Sequence, residues 1–128
     1  MINYGFSKEL ELPFAKGVET VTEALKKEGF GILSRIDVKE KFREKLGIDF
    51  KEYVILGACS PANAHKAILA EENIGLMLPC NVIVYEKDGK TVVSMVKPTQ
   101  AMGLIKNDKL TPIALEVEAM LKRAFESL

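Results

Sequence analysis

Asn81-Val82-Ile83-Val84-Tyr85-Glu86-Lys87-Asp88-Gly89-Lys90-Thr91-Val92-Val93-Ser94-Met95-Val96 places two β-branched runs on either side of an Asp-Gly pair. Asp-Gly supplies the backbone freedom of a tight two-residue turn, so the stretch predicts a hairpin, and a hairpin joins antiparallel strands. Working outward, Tyr53-Val54-Ile55-Leu56-Gly57-Ala58-Cys59 is the most β-like run of the chain and is expected to be a central strand. Gly31 to Asp37 reads as a short strand, and Asn3 to Glu11 as a first strand carrying Tyr4, Phe6 and Leu10.

Helices are expected between these strands. Pro13 opens one at a position where a missing N–H costs nothing, Phe14, Val18, Val21 and Leu25 give it an apolar face, and Gly29 closes it as a left-handed cap. Val38 to Leu46 reads as a small charged helix ended by Gly47. Ser60-Pro61 supplies an N-cap and a first helical residue for a helix reaching about Glu72, with an extended return from Asn73 to Pro79. The last helix starts at Thr111-Pro112 and carries Ile113, Val117, Met120, Ala124 and Leu128 on one stripe. This order predicts an α+β class: a mostly antiparallel sheet with two long helices packed on one face and short helices inserted. A doubly wound fold is the alternative, disfavoured by the late hairpin and by the lack of a Gly-rich phosphate loop.

The 128 residues are expected to form a single domain, 1–128, able to bury a core without staples. The 18 basic and 18 acidic residues cancel, which gives no electrostatic footprint for nucleic acid or an anionic membrane. A chain of zero net charge also carries no overall repulsion between copies, which suits self-association. Its longest apolar runs, such as Gly75-Leu76-Met77-Leu78, are too short to cross a bilayer, and Met1 to Phe6 lacks the pattern of a signal peptide. A cytoplasmic setting is therefore expected, in which Cys59 and Cys80 are free thiols or ligands.

The chain's two cysteines and its single histidine all fall between Cys59-Ser60-Pro61-Ala62-Asn63-Ala64-His65 and Leu78-Pro79-Cys80-Asn81. Three readings of that segment stay open. Cys59, His65 and Cys80 are candidate ligands for a soft or borderline metal such as zinc, or border a small-ligand pocket; a closed zinc site would need a further carboxylate or a second subunit. Alternatively, Cys59 is a reactive thiol with His65 as its base, at a helix start that favours negative charge, with redox or nucleophilic chemistry to follow. In the third reading the cysteines fill small buried spaces at a strand-to-helix corner of a non-catalytic dimerisation or interaction module. The sequence does not decide whether the protein is an enzyme. Geometry discriminates: antiparallel pairing of the strands at Cys59 and Cys80 brings the thiols together, whereas a parallel crossover separates them.

Gly29-Phe30-Gly31, Ile36-Asp37, Tyr53 to Cys59, Ala64-His65-Lys66-Ala67 and Gly75-Leu76-Met77-Leu78-Pro79-Cys80-Asn81, followed by Pro98, Ala101-Met102 and the amphipathic last helix, resemble the bacterial and archaeal family called domain of unknown function 302. The resemblance covers essentially the whole chain. It implies a fold similar to the TATA-binding-protein-like α+β class, without a DNA-binding role, and a homodimer; it implies no agreed activity. Lys97 precedes Pro98 where the family often carries an acidic residue, and Ser60 follows Cys59 where Asn is common.

Overall fold

The computed structural model describes residues 2–128. Among them run strands β1 (Gly5–Leu10), β2 (Gly31–Asp37), β3 (Tyr53–Cys59), β4 (Cys80–Lys87) and β5 (Lys90–Val96), with helices α1 (Phe14–Lys27), α2 (Val38–Leu46), α3 (Pro61–Ala70), α4 (Pro98–Ala101) and α5 (Leu110–Glu126). The strands form one five-stranded sheet in the order β1-β5-β4-β3-β2, every neighbouring pair antiparallel. The α+β architecture expected from the hairpin is therefore the observed one. Asp88 and Gly89 both adopt positive φ, 51° and 77°, the backbone of a type I′ turn whose twist matches that of the flanking strands.

Pleat alternation assigns the two faces. Val54, Leu56, Val82, Val84, Val93 and Met95 point to one side, where Val18, Val21 and Leu25 of α1 and Val117, Leu121 and Ala124 of α5 pack on them. Each fully buried Val or Leu stabilises the fold by about 1.5–3 kcal/mol. Helix α1 ends in a Schellman motif: Phe30 N–H donates to the Leu25 carbonyl and Gly29 N–H to that of Lys26, each at 3.0 Å, with Gly29 at φ 92°. Asp37 caps α2 by accepting from Glu40 N–H at 3.2 Å, and Gly47 ends that helix in the left-handed conformation.

Two local expectations are corrected. Helix α3 stops at Ala70, and the segment read as an extended return is a 3-10 helix over Glu72–Met77. Ile74 explains it: that side chain is fully buried in a second apolar cluster with Ala67, Met102, Leu110 and Ala114, and a coiled path is what delivers it there. Helix α5 begins at Leu110, and its fully inward stripe is Leu110, Ala114, Val117, Leu121 and Ala124, so Ile113 and Met120 flank the stripe instead of centring it.

Candidate functional site

The antiparallel alternative holds at the cysteine corner. Ala58 of β3 stands opposite Cys80 of β4, which leaves Cys59 one residue past that pair at the strand end. The two cysteines are thus offset by one residue across the paired strands, and both border a small cavity of about 30 Å³. That is room on the scale of one or two waters, about a tenth of the smallest usual small-molecule site. Cys80 is buried, and burial, with a smaller contribution from nearby Cys59, pushes its thiol up to about 11. Without a metal it stays a neutral thiol across the physiological range, whereas a nucleophile must be a thiolate.

His65 does not join the cysteines. The inward positions of α3 are Asn63 and Ala67, and His65 lies about 200° round the helix from Asn63, exposed to solvent. Asn63 takes the place beside the corner. Its Nδ2 donates to Ser60 Oγ at 3.0 Å and makes a longer 3.6 Å contact with Met120 Sδ. Its Oδ1 is buried and accepts no hydrogen bond from the chain, a cost of about 1–3 kcal/mol for a neutral acceptor. Ser60 therefore serves Asn63 and makes no side-chain cap to α3, contrary to the expectation for an N-cap serine. Among the described residues, no three His, Cys, Asp or Glu side chains gather in a group able to hold a metal ion.

A larger concavity lies on the other face of the sheet. Because α1 and α5 both cover the first face, the side chains of Tyr53, Asn81, Ile83, Tyr85 and Ser94 line an open groove of about 510 Å³. Tyr53 and Tyr85 are cross-strand partners, with rings stacked at 5.3 Å and 14° between planes. Phe50, itself edge-on to Phe42 of α2 at 5.0 Å, continues this aromatic ladder from Tyr53. Ser7 and Ser94, paired across β1 and β5, share a 2.8 Å hydrogen bond on the groove floor. Lys51 holds its ammonium 4.8 Å above the Tyr85 ring, and Lys87 also lines the groove.

The family model described as Domain of unknown function DUF302 matches residues 6–128. The chain belongs to the DUF302 family. It is similar to a solved structure of an uncharacterized conserved DUF302 protein from Bacillus stearothermophilus, at 33% identity and a TM-score of 0.89 with 96% of each chain covered. No curated protein matches the sequence. The motifs that carried the resemblance in this DUF302 chain build the β2–α2–β3 layer and the cysteine corner. The groove was not visible in them, since its tyrosines stand at positions 4, 53 and 85, and only β pairing brings them together. A period-two reading of both strands does, however, place Tyr53 and Tyr85 on the faces opposite Val54 and Val84.

Proposed function

We propose that this DUF302 protein is a homodimeric binding module in which the Cys59–Cys80 corner is structural. The observation that carries the reading is the corner itself: a cavity of about 30 Å³ at which, among the described residues, no group of three metal-ligating side chains gathers. Two cysteines with His65 turned to solvent fall short of the four ligands of a closed zinc site. Thiol chemistry at Cys59 has no imidazole beside it for the same reason. Both cysteines are free, as suits a reducing, cytoplasmic setting.

A second copy of the chain is the partner that the surface favours. Leu69 of α3, Leu76 of the 3-10 helix, Leu104 between α4 and α5, and Leu115 of α5 sit on the elements enclosing the second apolar cluster, and all four are more than half exposed. Exposed apolar groups gathered on adjoining elements mark association surfaces, and zero net charge removes repulsion between copies. Sedimentation velocity at micromolar concentration is the test. The expected result is a dimer in the wild type and in Cys59→Ser/Cys80→Ser, without stoichiometric metal in untagged protein prepared free of chelator, and a folded monomer in Leu76→Asp/Leu104→Asp. A monomeric wild type would overturn the dimer. Stoichiometric metal lost from the serine variant would overturn the structural reading of the corner.

A further inference from the structure

We propose that the groove on the uncovered face of the sheet binds a small planar organic anion, an aromatic ring system bearing a carboxylate or sulfonate. Its volume of about 510 Å³ falls within the roughly 300–1,000 Å³ of small-molecule sites. Its walls are aromatic. The stacked Tyr53–Tyr85 pair presents flat apolar surface on one side, and Tyr4, 62% exposed, leaves a further ring at the rim. Tyr53 leans on Phe50 at 6.5 Å, but none of the three rings enters the apolar cores beneath α1 and α5 and around α3.

The polar groups around those rings select the sign of charge. Lys51 and Lys87 line the groove, and among the described residues neither takes part in an ion pair and no acidic residue lines the groove with them. Glu9 is engaged with Lys90 at 3.1 Å and Glu52 with Lys39 at 3.3 Å, and Asp49, Glu86 and Asp88, although in no ion pair among the described residues, do not line the groove. The phenol of Tyr53 is raised by burial and then by the neighbouring Tyr85 and Tyr4, so it is held as a protonated donor. Two ammonium groups, three phenols and the amide of Asn81 offer donors, and no carboxylate competes with a bound anion for them. A second copy fits this face less well than an anion does. Two-fold pairing here would set the lysines of both copies against each other with no acid in the lining to meet them.

The groove adjoins the Leu76 end of the surface assigned to the dimer through Asn81 and Val96 but includes none of the four leucines, so separate variants distinguish the two proposals. The test is a fluorescence titration of the full chain with anilinonaphthalene sulfonate and with its uncharged parent, phenylnaphthylamine, in low salt. The expected result is saturable binding of the sulfonate, about tenfold or more tighter than the parent and weakened by added salt as exposed charge pairs are. Lys51→Gln/Lys87→Gln is expected to abolish that preference, Ile83→Trp to fill the groove and displace both probes, and Leu76→Asp/Leu104→Asp to leave binding intact. Should Ile83→Trp fail to fold, Tyr85→Ala replaces it, with binding weakened through loss of the stacked wall. Equal affinity for the two probes would overturn the anion preference. Absent saturable binding, or binding lost only in the leucine variant, would overturn the site; dimer loss in the lysine variant would show a second copy on this face instead.

Discussion

The two faces of the sheet are made from alternate residues of the same strands, yet they have opposite fates. On β3 and β4, Val54, Leu56, Val82 and Val84 are almost wholly withdrawn from water beneath α1 and α5, while Tyr53, Ile55, Ile83 and Tyr85 remain only partly covered. Composition does not separate them, since both sets are apolar. Connectivity does: the helix after β1 and the helix at the chain's end return to the same side, and the apolar stripe of each is spent there. One face therefore holds the fold together, and the other is left partly open to solvent. The contrast can be broken most directly by truncation. Leu121→Ala, at a fully buried side chain, is expected to cost about 3–5 kcal/mol in urea unfolding, through lost transfer energy plus the cavity left behind. Ile83→Ala on the open face should cost about 1 kcal/mol, because solvent and neighbouring side chains already share its surroundings. Equal losses would mean that the open face is covered in solution.

Cys80 tests the covered side by pH. Its folded-state thiol sits near 11 against an ordinary value of 9.0, because burial disfavours the thiolate. A raised value means that the folded state holds its proton longer than the unfolded chain does. The associated stability is complete below about pH 9 and is lost as pH rises toward 11, by about 2–3 kcal/mol for two units. Lysines and tyrosines titrate nearby, so the measurement is the difference between wild type and Cys80→Ala. The wild type should lose more stability over that window, and parallel curves would mean that the thiol is already hydrated in the native state.

How much of this was legible in the sequence depends on what bounds each element. Helix α2 and strand β3 were readable because Gly47 ends the helix and the aromatic–aliphatic run from Tyr53 is unbroken; the Asp37 cap emerged only from the structure. The hairpin was readable because Asp88 and Gly89 carry the conformational demand themselves. The 3-10 helix was not, since a single fully buried residue, Ile74, fixes it and one residue has no period. At the cysteine corner the strand pairing could be posed as a question, but helix phase decided the rest. Asn63 rather than His65 faces inward, although both lie within one turn of the Ser60-Pro61 start. The groove depended on long-range pairing of residues more than thirty positions apart, which no local pattern carries.

The smallest expected effect marks the contrast between the faces most sharply. Tyr53→Phe keeps the ring that stacks on Tyr85 and removes only a hydroxyl from a partly exposed position, so stability near neutral pH should change by less than about 0.5 kcal/mol. At high pH the same substitution has a direction. The wild-type phenol is raised by burial and by Tyr85 and Tyr4, so the folded state resists ionisation and stability declines as pH climbs through the phenol range. The Phe variant lacks that decline. A difference spectrum of phenolate absorbance against pH, followed with the unfolding midpoint, checks both halves. A large neutral-pH loss would instead make the hydroxyl part of the fold's support, and the open face would then share the structural work of the covered one.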